Sequence, residues 1–398
     1  MTSNIESNIV KLYIVKLSKW FMLFMPIIWL FYAENGLSIS DLLIIQSIYS
    51  ITIATIEIPS GYVADVLGRR KALIMGTFCG VIGMIIYSMS YTFAGFLAAA
   101  LCLGIGQSFI SGSDTAIMYD TLLSLKRSKE FIKIEGRTIS LGNFAEALAF
   151  ILGGLLAEIS LRTPFYIQIG IALIGFIAAT QLVEPSQHKL KGSVVNPWNN
   201  IKKIVIYAMI ENKTLRHFIF YSSIIGAATL TMAWFSQPYF MSLGIISTFY
   251  FGLIGAILNI AVAIPSLYAH KIEQMIDSKK LLIVFLSCIT LGYFIMGSTT
   301  HLAGLLVLFV FNITRGVATP VLKDYMNRNI PSEMRATVMS IRSFITRIIF
   351  SSTAPFLGYI ADVYSIQQSL LLSGMIFLTL GGISLIFLLS NQTTIKTA

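Results

Sequence analysis

SDLLIIQSIYSITIATIEIPSGYVADVLGRRKALIMGTFCGVIGMIIYSMS, residues 40–90, holds two long apolar runs on either side of a short cationic segment. A helix needs about 20 mostly apolar residues to cross the hydrocarbon core of a bilayer. The runs at 40–63 and 71–90 each reach that length. The segment between them carries Arg69, Arg70 and Lys71, the residue types that hold a loop on the cytoplasmic side. This stretch therefore reads as two membrane spans of opposite direction joined by a tight inner loop.

The same pattern extends outward in both directions. Comparable runs fall near 15–33, 92–118, 136–159, 164–183, 216–240, 247–269, 280–299, 301–322, 337–361 and 366–390, which makes twelve in all. Their length and their internal Gly, Pro, Ser and Thr indicate helices, because barrel strands alternate over about ten residues. Composition agrees: 56% of the 398 residues are hydrophobic and 12% charged, against about 25% charged in soluble domains. Cys79, Cys102 and Cys288 sit inside apolar runs and form neither a disulfide framework nor a metal spacing. No cleavable leader is expected, since the N-terminal segment is polar to about Lys11.

The net charge of +10 raises the question of nucleic acid, and its placement answers it. With both ends cytoplasmic, the inner segments hold Lys11, Lys16, Lys19, Arg69, Arg70, Lys126, Arg127, Lys202, Lys203, Lys279, Lys280, Arg328 and Arg335, among others. The outer loops hold only Arg162. The excess positive charge thus sets topology and implies no nucleic acid. A multi-pass protein of a cell membrane follows, and the Ile/Lys/Asn-rich composition suggests a bacterial inner membrane.

The longest polar stretch separates six spans from six. It assigns residues 1–184 to one bundle, 185–215 to a cytoplasmic linker marked by Pro185, Gly192, Asn196 and Pro197, and 216–398 to a second bundle. Residues 198–211 read as a short amphipathic helix on the membrane surface. The halves repeat one another. Ile58-Pro59-Ser60 matches Ile264-Pro265-Ser266, Gly112 with Asp120 matches Gly316 with Asp324, and Gly154 with Glu158 matches Gly358 with Asp362. Their offsets are 206, 204 and 204 residues. The expected fold is all-α and integral to the membrane, with twelve transmembrane helices in two pseudo-symmetric six-helix bundles. Such repeats mark secondary transporters.

Gly61-Tyr-Val-Ala-Asp65-Val-Leu-Gly68-Arg69-Arg70-Lys71 resembles the signature loop of the major facilitator superfamily, a glycine, an aspartate four residues on, then Gly-Arg-Arg/Lys. That family is itself the standing example of this repeat architecture. Glu57-Ile-Pro-Ser-Gly61 and Ser111-Gly112 through Tyr119-Asp120 look like its drug-efflux (drug–proton antiporter) branch. Two departures stand out. Ala100 replaces an arginine before Gly104-Ile-Gly106, and Ala149-Phe150 replaces a Gly-Pro pair before Gly153-Gly154. The resemblance implies that the loop, through Gly61, Asp65, Gly68, Arg69 and Arg70, gates the inner side and grips the eleventh span. The loop's glycines permit a tight turn. Arg69 is placed to reach a carboxylate at the inner end of the fourth span, and Asp120 is the candidate.

Ionisable residues deep in a span cost at least about 2.5–3.5 kcal/mol, so each is a functional candidate. Glu57, Asp114 and Glu146 lie in the first half; Arg315, Arg342 and Arg347 lie in the second. By the resemblance, Glu57 is expected to pair with Arg342 or Arg347 in one state and part from it in the other. Asp114 and Glu146 are candidates for proton coupling, because an apolar setting disfavours the charged form of a carboxylate. Substrate is expected against Asp114, Arg315, Tyr32, Phe109, Trp234 and Tyr239, whose aromatic rings offer adaptable apolar contacts.

The function expected is secondary active transport by alternating access, as proton-coupled efflux of amphipathic small molecules by a monomer. One alternative is uptake or exchange of an organic anion held by the intramembrane arginines. Another is a non-transporting receptor or assembly protein on the same fold. No phosphate-binding loop, catalytic triad, metal cluster or cofactor site is written in the chain, so an enzyme is not expected.

Overall fold

Residues 2–185, 197–328, 330 and 334–390 are described by the computed structural model. In chain order the helices are α1 (Thr2–Trp20), α2 (Ile28–Glu34), α3 (Ile39–Leu67), α4 (Arg69–Met89), α5 (Phe93–Ile110), α6 (Ser113–Ser124), α7 (Phe131–Ala157), α8 (Thr163–Thr180), α9 (Pro197–Ile206), α10 (Lys213–Ser242), α11 (Thr248–Leu267), α12 (Ala269–Met275), α13 (Ser278–Ser298), α14 (Gly304–Arg328), α15 (Arg335–Val363) and α16 (Ile366–Ser390). No strand occurs among the described residues. Twelve spans long and apolar enough to cross a membrane are present, the first built from α1 and α2 and the fourth from α5 and α6. Gly192 and Asn196 of the expected linker lie outside the described residues. α9 occupies most of the expected surface helix and runs into a π-helical turn at Tyr207–Glu211.

Helix starts follow local chemistry. Ser38 accepts from the amide of Asp41 at 3.1 Å while Asp41 accepts from that of Ser38 at 3.0 Å, a capping box that begins α3. Asp277 accepts from the amides of Lys279 and Lys280 to begin α13, and Asn212 begins α10 through the amide of Leu215.

The two broken spans have separate causes. Pro26 lacks a donor and interrupts the first span after α1. The amide of Leu23, left without a helical acceptor there, donates to Oε1 of the buried Gln168 of α8 at 2.9 Å. The fourth span breaks at Gly112, whose φ of +78° suits glycine alone.

The chain divides into two compact units, residues 1–192 with 246–257, and 193–245 with 258–398. In the first unit Gly76 and Gly106 bring α4 and α5 together, each standing where a Cβ would meet the other's carbonyl oxygen at 2.8 and 2.7 Å. Small residues allow this backbone approach where no hydrophobic drive separates helices from lipid. An aromatic cluster of Phe24, Phe31, Tyr32, Tyr87, Phe96 and Phe165 fills one end. Arg162 caps that end by donating to the Ser88 and Ser90 carbonyls and to Asn35. The first half of α11 belongs to this unit because Gly252 packs on the Phe150 carbonyl and Gly154 on that of Thr248.

In the second unit α10 packs against α13, α14, α15 and α16. Tyr221 donates to the Leu282 carbonyl at 2.5 Å and Tyr293 to that of Ala228 at 2.6 Å, which satisfies two buried hydroxyls.

Gly153 tests the packing of α7 on the first break. A Cβ there would stand 2.0 Å from the Leu23 carbonyl oxygen and 3.0 Å from Pro26 Cγ. Gly153→Ala is therefore expected to destabilise by at least about 1–3 kcal/mol, because backbone must move. Gly80→Ala, with nothing within 4 Å of its added Cβ, serves as the neutral control. Melting of both variants in detergent decides the matter, and equal midpoints would contradict the packing.

Candidate functional site

The signature segment folds differently from the turn its glycines suggested. α3 continues through Gly61 to Leu67, and only Gly68, at φ +105°, makes the turn into α4. Gly61 is an exposed helical residue with open space around it, so its lack of a side chain is not what makes the turn. The side chain of Asp65 lies outside what the structure describes.

Three elements meet at the start of α4. Arg69 Nη1 forms an ion pair with Asp120 of α6 and donates to the Ala116 carbonyl at 3.0 Å. The amides of Arg69 and Arg70 donate to the two carboxylate oxygens of Glu184 at 3.0 and 2.8 Å. A negative charge at a helix N-terminus satisfies free amides and meets the positive end of the helix dipole. Arg70 adds a bond to the Thr180 carbonyl at 2.8 Å, which ties α4 to the end of α8. Gly68 has a second role here, since a Cβ would approach Glu184 Oε2 at 3.0 Å. Sequence reading passed over Glu184. The available signal was an acid directly after the sixth span, beside a loop of opposite charge.

A second charged group sits deeper in the first unit. Lys16, counted among the loop cations, is 5% exposed and holds Glu135 of α7 at 2.8 and 3.0 Å. Lys19, one turn further along α1, is within electrostatic range of Asp114 and Lys16. Asp114 is 8% exposed on the first turn of α6, directly beyond the break, and accepts from the amide of Thr115 at 2.7 Å and from its hydroxyl. Asn8, fully buried, clamps the opposite end of α6 by bonding Thr121 and both main-chain groups of Val183. Lys16 of α1 thus pairs with Glu135 of α7.

Lys16→Ala leaves Glu135 without its cation. Breaking one side of a buried pair costs about 3–5 kcal/mol, and the 24% exposure of the Glu135 side chain argues for the lower end. The double variant Lys16→Met, Glu135→Leu is expected to recover most of the loss. Thermal melting of the three proteins reads this, and a double variant no better than the single one would count against it.

The other candidate residues are placed as follows. Glu57 is half-buried on α3 and accepts from the Ser111 hydroxyl at 3.3 Å. Glu146 is half-buried on α7. Phe109 and Trp234 are half-buried on α5 and α10, and Arg315 is half-buried on α14. Tyr32 and Tyr239 correct the expected cavity lining, because both are fully buried within their own units. Tyr32 stacks on Tyr87 with hydroxyls in contact, and the Tyr239 hydroxyl faces Gly304. Neither has surface left for a solute.

On α15, Arg342 Nε donates to the Ser222 hydroxyl at 2.5 Å, with Nη2 3.5 Å from the Ser222 carbonyl. Arg347 Nε is buried and has no hydrogen-bond partner among the described residues. Glu57 and Arg342 are thus each held inside their own unit.

The chain matches the family model described as Major Facilitator Superfamily over residues 17–352. It is 23% identical over 368 residues to an uncharacterized MFS-type transporter of Methanocaldococcus jannaschii, a match that covers 90% of this chain and 92% of the relative. It is 22% identical over 171 residues to the quinolone resistance protein NorA of Staphylococcus aureus, covering 43% of each chain. Among solved structures it is similar to a point mutant of the nucleoside transporter NupG, with a TM-score of 0.78 at 14% identity over 97% of this chain and 98% of that one. A D-xylose-proton symporter gives a TM-score of 0.74 at 15% identity over 96% and 95%. At such identities the structural likeness speaks for the fold alone.

Proposed function

The chain belongs to the major facilitator superfamily and is a multi-pass membrane transporter, not an enzyme; from that premise we propose that it exports amphipathic small molecules in exchange for protons. The observation that carries this reading is Asp114, a buried carboxylate at the break of the fourth span with Lys19 in electrostatic range. Acidic side chains inside transmembrane segments are where pumps and transporters relay protons, and Asp114 is the buried acid at this break. The break at Gly112 lets the two halves of the span tilt independently, and discontinuous helices are where transporters of this type place their sites.

Direction rests on the likeness across part of the chain to NorA, whose name denotes quinolone resistance. Orientation rests on charge. The cationic loops face the cytoplasm with both termini, and Arg162 lies outside. The ion pair of Arg69 with Asp120, braced by Glu184, acts as the inner latch. The chain works as a monomer in a bacterial inner membrane.

Flux in proteoliposomes under an imposed pH gradient, against a panel of cationic, zwitterionic and anionic amphiphiles, tests the proposal. Accumulation driven by opposite proton movement is expected. Exchange indifferent to the gradient would remove proton coupling, and no flux of any compound would remove export of amphiphiles.

A further inference from the structure

Two of the three cysteines stand together in the first unit. Cys79 of α4 and Cys102 of α5 are free thiols, both half-buried. The Cys102 thiol donates to the Cys79 carbonyl at 3.3 Å, and the two thiols are hydrogen-bonding neighbours of each other. Cys288 lies on α13, in the second unit.

Glycines set this approach. Cys79 and Gly83 share a face of α4, one turn apart, and Cys102 and Gly106 do the same on α5. A Cβ on Gly106 would stand 3.0 Å from Cys79 Cβ, and one on Gly83 would stand 2.7 Å from Leu103 Cγ. The two backbones are therefore held close along the seam in which both cysteines sit.

Depth decides what such a pair can take. Cys79 lies ten residues beyond Arg69, the first residue of α4, which is about 15 Å along a helix. Cys102 lies nine residues beyond Phe93, the first of α5, or about 14 Å from the opposite end. Both thiols thus sit near the middle of a hydrocarbon core about 30 Å thick. Among the described residues no third His, Cys, Asp or Glu completes a metal cluster with them, so a tetrahedral ion such as zinc lacks its ligands. A soft centre that makes two bonds to sulfur fits the pair. Two thiolates around a monovalent ion leave a net negative charge, which is costly at this depth. A trivalent organoarsenical leaves none. In R–As=O the arsenic–oxygen bond breaks, two arsenic–sulfur bonds form, and both thiol protons leave on the oxygen as water. Arsenic stays trivalent throughout.

We propose that Cys79 and Cys102 form a dithiol site at the α4–α5 seam that captures neutral, lipid-soluble thiophilic compounds of the trivalent organoarsenical class. The site is independent of the transport reading. Capture bridges α4, which starts at the latch residue Arg69, to α5, which leads into the break at Gly112.

The test uses the full chain in phosphatidylcholine nanodiscs, carrying Cys288→Ser so that the pair alone remains. It is titrated with phenylarsine oxide and read by intact mass spectrometry. Expected is one phenylarsenic group per chain, gained with loss of one water and removed again by excess ethanedithiol. Proteolysis of the adduct should yield the Cys79 and Cys102 peptides joined through arsenic. The second bond forms within the molecule and so raises affinity about 10²–10⁴-fold. Cys79→Ser and Cys102→Ser are each expected to bind at least about a hundredfold more weakly. Melting midpoints before addition check that serine leaves the fold intact; where it does not, the peptide map of the intact pair decides the matter. Undiminished affinity in either serine variant, arsenic held on one cysteine peptide alone, or no adduct at all overturns the proposal.

Discussion

Asp114→Asn is expected to abolish gradient-driven transport while leaving exchange of substrate across the membrane in place. The amide keeps the size of the carboxylate and can still accept from the Thr115 amide and hydroxyl, so the start of α6 is preserved. What it loses is the ability to change charge. If Asp114 is where the proton loads, accumulation under a pH gradient should fall at least about tenfold, equivalent to 1.4 kcal/mol of lost coupling. Counterflow in the absence of a gradient should persist, since the alternation of access itself is not touched. Proteoliposomes loaded with a substrate found in the flux panel measure both quantities. Unchanged accumulation in the variant would move the coupling role elsewhere, with Glu146 as the next position to replace.

The second large effect belongs to the latch. Arg69→Ala removes the ion pair with Asp120 and the bond to the Ala116 carbonyl, and leaves Asp120 with 15% side-chain exposure and no cation. A hydrogen bond to a charged group contributes about 1.5–3 kcal/mol. Lost from one of two conformations, that is a shift of roughly 10- to 150-fold in their populations. Transport should fall accordingly, while the protein stays folded through the Glu184 cap, which uses the main-chain amides of Arg69 and Arg70 and not their side chains. Exchanging the charges, as Arg69→Asp with Asp120→Arg, should restore part of the activity. Cysteine accessibility from each side reports the populations, and an unaltered pattern in Arg69→Ala would show that the pair holds topology only. Glu184→Gln separates the two contributions, because it weakens the cap and spares the ion pair.

The contrast between Glu184 and Asp120 shows how far a linear reading reaches. Asp120 was legible because it stands a fixed number of residues after Gly112 in a repeated pattern and opposite an arginine in a known motif. Glu184 was not, because it follows the sixth span and reads as the last residue before a linker. Its partners are amides, which carry no sequence signal. The pair of Lys16 and Glu135 was missed for a related reason. A lysine near the N-terminus satisfies the positive-inside pattern wherever its side chain points, and only the packing of α1 on α7 shows that it is buried.

Tyr32 and Tyr239 failed in the opposite direction. An aromatic residue on a span has the same hydropathy whether it faces a cavity, lipid or a neighbouring helix. These spans are apolar around most of their circumference, so periodicity does not select a face.

Hydropathy, the placement of charge and one signature loop were enough to determine twelve helices, two repeated halves and a transporter family. Each of those depends on length, composition or local spacing, which the chain carries in one dimension. The breaks at Pro26 and Gly112 were half visible, as residues that favour a break without requiring one. Which side chains meet was decided only by tertiary structure. The rotation of each helix about its axis is set by close contacts such as Gly76 on Gly106 and Gly153 on Leu23. That rotation buries Lys16 against Glu135 and turns Tyr32 into the core.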